Sequence, residues 1–267
     1  MKKMKFSTIH YLLLLLFAAT TFGSCKKDYS AEDLVLPPVL IDHNIIVRFV
    51  PMMDTAVLEF GKTYTNHFGE SFSISQFKFY LHEMQFFNTD SSYITTTGKK
   101  DHYLIDFSDS STTVLKYAIY PYKYNRIGFF IGVDSSRNFS GAQTGSLDPA
   151  KGMFWTWNSG YIMAKMEGNS PQASTPNNKF EFHIGGFSGI DNTVRYPILN
   201  FPFGELLDVK NNKVSEVTIE VNVAAWFYNP HDIRIAAHPV ITTPGTLARQ
   251  VSENYSKMCT VSKVINP

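Results

Sequence analysis

The sequence predicts an all-β domain, an antiparallel β-sandwich or barrel-like sandwich in a single domain with long loops, and three observations carry that expectation. Short runs of β-branched and aromatic residues recur along the chain, separated by Gly, Pro, Asn and Ser. No stretch shows a helical period of useful length. Aromatic residues make up 15% of the chain and charged residues only 18%, a balance that can bury a large core and is unlike that of a disordered chain.

The elements follow in order. Residues 44–50 carry Ile45, Ile46, Val47 and Phe49 and read as a strand. Residues 71–87 alternate, with Phe72 and Ile74, then Phe77, Phe79 and Leu81, on one face. The alternation slips near Ser75, which predicts a bend or bulge there, or two strands in place of one. Residues 102–107, 111–119 and 124–133 are further strands, and 134–151 is a polar loop. Met153, Trp155 and Trp157 alternate and run into Asn158-Ser159-Gly160, so residues 153–167 read as strand, turn, strand. Residues 168–178 form a Pro/Asn/Ser linker long enough to be mobile. Strands then return at 180–184, 195–201 and 214–227, the last with Val217, Ile219, Val221 and Val223 alternating with polar residues.

The N-terminus fixes the expected compartment. Lys2, Lys3 and Lys5 precede the apolar run 11–20, the pattern of a secretory signal over residues 1–24. Phe22-Gly23-Ser24-Cys25 is similar to a bacterial lipobox, with Cys25 as the lipidated first residue of the mature chain. Residues 25–40, with Pro37-Pro38, read as a tether, and 41–267 as the folded domain. The expected location is the cell envelope, anchored by lipid to the outer membrane and facing either the periplasm or the exterior. Loss of the leader's three lysines takes the basic count from 24 to 21 against 23 acidic residues, a net charge of −2. With no basic run after the tether, nucleic acid is not an expected partner. If Cys25 is acylated, Cys259 is the one remaining thiol, and it reads as a small buried hydrophobe.

Motifs for catalysis are missing: the chain has no Gly-rich phosphate loop, HExxH, CxxC or GxSxG. No histidines pair at i, i+2 or i, i+4, so a metal site would draw its ligands from separate strands. His183 stands out, at the end of a hydrophobic strand leading into Gly185-Gly186. His82 lies in the apolar run 79–84, where a buried imidazole needs a partner.

Several motifs in fixed order carry a family resemblance. They are Phe72-Ser73-Ile74-Ser75-Gln76-Phe77-Lys78-Phe79-Tyr80-Leu81, Tyr103-Leu104-Ile105-Asp106, Ile131-Gly132-Val133-Asp134 and Leu147-Asp148-Pro149. Gly152-Met153-Phe154-Trp155-Thr156-Trp157-Asn158-Ser159-Gly160-Tyr161 follows, then His183-Ile184-Gly185, then Asn254-Tyr255-Ser256-Lys257-Met258. On these the chain resembles the MbnP-like family of extracytoplasmic proteins associated with methanobactin genes. The resemblance implies a β-sandwich-like fold, a bound copper ion, and a di-haem cytochrome-peroxidase-like partner that oxidises a tryptophan to kynurenine. Trp155 and Trp157 are the candidate indoles, with Trp155 marginally favoured; His183 is the best-matched ligand and His82 a weaker one. The chain departs from the pattern at Arg137-Asn138-Phe139-Ser140, where copper-binding relatives carry an Asn-His pair.

The expected function is therefore a lipid-anchored, non-catalytic binding protein that handles copper. The alternative is a carbohydrate- or protein-binding surface module, in which Trp226, Tyr228 or the series Tyr117, Tyr120, Tyr122 and Tyr124 would stack on a ligand.

Overall fold

A computed structural model of the chain describes residues 42–89, 93–95, 101–156 and 160–267. Cys25 and Trp157 lie outside the described residues. The strands, in order, are β1 (Ile45–Met53), β2 (Ala56–Val57), β3 (Thr63–Thr65), β4 (Ser71–Asn88), β5 (Tyr93–Thr95), β6 (His102–Asp106), β7 (Val114–Tyr117) and β8 (Lys123–Ile131). After the short helix α1 (Ser135–Phe139) come β9 (Phe154–Trp155), β10 (Gly160–Asn169), β11 (Lys179–Gly185), β12 (Ile198–Asn200), β13 (Leu207–Asp208), β14 (Ser215–Asn222) and β15 (Val240–Ile241). Helix α2 (Thr246–Tyr255) and β16 (Cys259–Ile265) end the chain.

Two sheets face one another. The smaller runs β16-β14-β1-β2, with β7 also on β1; the larger follows β12-β8-β4-β10-β11-β15 and gathers the short strands around that path. The alternation read in the sequence is what makes them pack. Ile45, Val47 and Phe49 of β1 and Val217, Ile219 and Val221 of β14 point inward, onto Phe77, Phe79 and Leu81 of β4. Phe49 meets Phe79 and Phe129 edge-on, with ring centroids 6.1 and 5.9 Å apart, and so joins the sheets at their centre. Cys259 is buried as expected, and burial pushes its thiol pKa up.

The all-β sandwich is borne out, but the sheets are mixed and not purely antiparallel. β1 pairs with β14 in parallel, Ile45 opposite Ser215, and β11 pairs with β15 in parallel. An alternating strand pattern is the same read in either direction, so the sequence carried no sign of this. Two further expectations change. Residues 246–255 form a helix, burying Ala248, Val251 and Tyr255 on one side while Arg249 and Glu253 pair at 2.9 Å on the other. Residues 168 and 169 end β10 and the chain then turns to β11, anchored by Ser170, which is fully buried and whose hydroxyl donates to the Ser71 carbonyl at 2.6 Å.

Strand β4 is one continuous element, and the slip near Ser75 is a bulge. Gln76 faces Glu167 and Ile74 faces Gly168, leaving Ser75 without a register partner on β10. Gly168 sits where this bulge brings backbones together. A Cβ there would lie 1.9 Å from the Ser73 carbonyl oxygen and 2.7 Å from the Phe180 ring. Gly168→Ala is therefore expected to destabilise the domain by about 3 kcal/mol or more, because backbone blocks the new methyl group. Urea denaturation checks this; an unchanged midpoint would mean that the bulge can open freely.

Candidate metal centre

Strand β4 has two edges. One pairs with β10 from Ser73 to Phe79 and then with β8 from Leu81 onward. The other carries β3, β6 and β5 in succession. Where β10 leaves and β8 arrives, the sheet forks, and the Gly132 N–H donates to the Tyr80 carbonyl across the fork at 2.8 Å. Residues 132–156 fold over this point. Tyr80, Val133, Leu147, Met153, Trp155, Tyr161 and Met163 form a second apolar cluster on the outer face of the large sheet. Asn138 secures this cover: its amide donates to the Val133 and Asp134 carbonyls, and its side-chain oxygen accepts from the Tyr161 N–H at 2.9 Å.

A compact donor cluster lies beside the fork. His82 of β4 and His102 of β6 are direct register partners, and their rings stack at 4.7 Å and 22°. Asp134 follows β8 and caps α1, one oxygen accepting from the Arg137 N–H and the Ser136 hydroxyl. Its other oxygen lies 3.0 Å from His102 Nε2. His82, His102 and Asp134 each offer one donor atom, and the three atoms lie within 4.8 Å of one another.

The electrostatics suit a cation. Nδ1 of His82 lies 3.0 Å from the Gly132 carbonyl and donates its proton there, which leaves Nε2 as the basic nitrogen. Burial, and then the adjacent His102 ring, push the His82 pKa below its ordinary value, so the imidazole is neutral at neutral pH. Burial pushes the Asp134 carboxyl up, but the Ser136 hydroxyl, the Arg137 N–H and the two imidazoles outweigh it and hold it below its usual range. Both histidines are buried while the Asp134 side chain is 31% exposed, so the carboxylate marks the side open to solvent. Two imidazoles and one carboxylate form a donor set for Cu(II), Zn(II) or Fe(II), with open positions remaining.

The other sequence candidates are placed differently. His183 lies on β11 opposite Lys165, which is itself opposite Lys78 of β4. Four residues along and two strands across put it roughly 16 Å from His82 at ordinary sheet spacings. Its Nε2 lies 2.7 Å from Glu167 Oε1, and the Lys165 ammonium is 3.5 Å from the same oxygen. A buried lysine next to the imidazole opposes a metal cation, so His183 belongs to an ion cluster and not to the donor cluster. Trp155 is buried; its ring lies against Gly185, where a Cβ would come within 2.5 Å of it. Beside it is a cleft of about 260 Å³ lined by Tyr161, Phe187, Asp191 and Pro244. Phe139 is 76% exposed and meets Phe187 edge-on, and it offers no nitrogen. Of the stacking residues in the alternative function, Trp226, Tyr117 and Tyr124 are buried, which removes them as ligand platforms; Tyr120 and Tyr122 are exposed.

Sequence reasoning missed His102 and Asp134 as partners of His82. The signal was the antiparallel register of residues 78–82 with 102–106, and that becomes visible only once the strands are paired.

These features define a class: a mixed β-sandwich whose large sheet carries a loop-covered aromatic cluster and a two-histidine, one-carboxylate centre. The sequence profile described as MbnP matches residues 42–244, and the chain belongs to the MbnP family. Among solved structures the chain is similar to MbnP from Methylosinus trichosporium, at 14% identity over 70% of this chain and 78% of that one, with a TM-score of 0.46. No curated protein matches it.

The His183 cluster makes the acid limb of stability specific. The hydrogen bond to His183 dominates over burial and, with Lys165, lowers the Glu167 pKa to about 2. A depressed carboxyl stabilises the fold above its unfolded value of 4.5 and loses that contribution as pH falls toward 2. Glu167→Gln and His183→Ala are expected to flatten the loss of stability between pH 4.5 and pH 2, measured by denaturant titrations at stepped pH. An unaltered acid limb in both variants would show that the pair contributes nothing.

Proposed function

We propose that this protein is a lipid-anchored, non-catalytic binding protein of the cell envelope that holds copper at His82, His102 and Asp134. The observation that carries the reading is the convergence of three donor atoms from β4, β6 and the start of α1 within 4.8 Å. Family membership supplies the choice of copper among the metals this donor set suits. The Asn-His element of copper-binding relatives is replaced here by Asn138-Phe139, and His183 is held by Glu167 beside Lys165. A centre on His82 and His102 needs neither position.

In the same proposal, a di-haem cytochrome-peroxidase-like partner oxidises one indole of the Trp155/Trp157 pair. The cleft beside Trp155 supports this for that residue, because it leaves a face of a buried indole next to solvent.

Two experiments test the reading. Cu(II) titration by calorimetry, run alongside Zn(II) and Fe(II), is expected to show binding that falls at least about tenfold in His102→Ala and in Asp134→Asn. His183→Ala is expected to bind as the parent does. Loss on His183→Ala with no effect of His102→Ala would sink the assignment, and melting curves on each variant separate ligand loss from unfolding. For the indole, mass spectrometry of the tryptic peptide 152–165 from native protein should show oxygen addition with loss of the formyl carbon. Two unmodified tryptophans would remove the oxidising partner from the proposal.

A further inference from the structure

Three aromatic side chains at one end of the sandwich have no role in the core. Tyr120 is 72% exposed, Tyr122 is 50% exposed, and Phe203 is completely exposed. Phe203 sits at the tip of the Pro202–Gly204 turn with φ of +53°, a left-handed conformation that a bulky residue rarely adopts. The aromatics are held in place from behind. The Tyr124 hydroxyl donates to the Tyr120 carbonyl at 2.7 Å, and the Val209 N–H donates to the Tyr122 carbonyl at 2.9 Å. The Phe201 N–H donates to the Asn125 carbonyl, bringing the Phe203 turn to the same end of β8. Exposed Val214 and Ile265 belong to this end as well, since Ser215 pairs with Ile45 and Glu216 with Ile265.

The described residues also begin at this end. Asn44 joins Ile119 by two hydrogen bonds, its amide donating to the Ile119 carbonyl at 2.7 Å and its side-chain oxygen accepting the Ile119 N–H at 2.9 Å. The first described residues therefore enter the domain one position from Tyr120. Residues 25–40 can span at most about 55 Å, so a domain anchored at Cys25 stays within that distance of its membrane. Such a short tether holds the domain at a millimolar-scale effective concentration near the bilayer, where even weak insertion is populated.

We propose that Tyr120, Tyr122 and Phe203, with Val214 and Ile265 at their border, form a lipid-contacting surface that seats this end of the sandwich on the bilayer. Tyrosine suits the headgroup level, with an apolar ring and a polar tip, and Phe203 reaches further as the apolar wedge. Charges of both signs border this end, Lys116, Lys123, Lys210 and Lys213 with Asp42, Glu205 and Asp208, and Lys210 lies 3.2 Å from Asp208. With so small a net charge, the proposed contact is apolar and interfacial and depends little on salt. β8 runs from this end to Ile131, so Asp134 and the opening toward the donor cluster lie at its far end, directed away from the lipid. The seating rests on the anchor proposed above, but its test does not depend on it.

The test uses the full mature chain on vesicles of phosphatidylethanolamine and phosphatidylglycerol. Cys259 is buried and an acylated Cys25 has no free thiol, so one introduced cysteine takes an environment-sensitive fluorophore. The label at Val214→Cys should shift to the blue and be quenched by spin-labelled lipid, while the label at Ile190→Cys stays water-like. Water-like spectra at both sites on chain that floats with vesicles would overturn the seating. Flotation of the parent against Cys25→Ser reports the anchor separately. In the unacylated Cys25→Ser chain, adding Tyr120→Ser and Phe203→Ser should lower vesicle partition at least about tenfold, the factor expected for losing burial of one large ring. Equal partition with and without the aromatics overturns the proposal whatever the state of Cys25.

Discussion

The structure depends on a single strand being shared. β4 presents its inner face to the small sheet, and neither of its edges belongs to one neighbour. Because β10 and β8 take successive lengths of the same edge, the sheet cannot remain continuous and must open where one replaces the other. An open fork in a sheet exposes backbone groups and apolar side chains. Residues 132–156, with Tyr161, answer both needs. They place Met153 and Trp155 over Tyr80, and Asn138 satisfies the carbonyls left at the fork. The candidate metal centre follows from the same geometry: His82 stands at the fork, β6 brings His102 alongside, and the chain leaving β8 brings Asp134.

Charge then separates two histidines that look alike in sequence. Both lie in apolar strand sequences and both point away from the main core. His183 is next to Lys165, whose own pKa burial pushes down, and the pair is stabilised by sharing Glu167. His82 has a carboxylate across from its stacked neighbour and a backbone carbonyl that fixes its tautomer. One arrangement closes into an ion cluster, and the other gathers three donor atoms.

Much of the fold was legible because the core is built by period-two alternation, and that alternation survives without knowledge of neighbours. Even the bulge at Ser75 could be read, since a slip of one residue moves Phe77 and Phe79 to the face that Phe72 and Ile74 had occupied. Strand direction was not legible, because reversing β14 leaves its pattern intact. Helix α2 escaped notice because a ten-residue stripe of Leu247, Ala248, Val251 and Tyr255 is short among so many strands. The candidate site was half legible. His82 could be picked out as a polar ring in an apolar run. Its partners lie 20 and 52 residues further along and acquire meaning only through register. His183 was favoured by motif, and the lysine that opposes a metal there becomes its neighbour only through the pairing of β10 with β11.

The parallel pairing of β1 with β14 governs the order in which the domain can be completed. The two strands are separated by 170 positions in the chain, with nearly all of the large sheet encoded between them. A polypeptide delivered N-terminus first, from a ribosome or through a translocation pore, presents β1 early, and only β2 and β7 can join it before residue 215 arrives. Until then the sheet of Val47 and Phe49 lacks β14 and β16, and β1 has an open edge. Such long-range closure is slow. The waiting interval therefore exposes an aggregation-prone strand. Its neighbours are suited to that interval: Arg48 and Lys116 place charge on the outer faces of β1 and β7. A chain with this topology is vulnerable to misassembly before β14 has emerged, and a helper that shields β1 during that time would act on an intermediate absent from the finished fold.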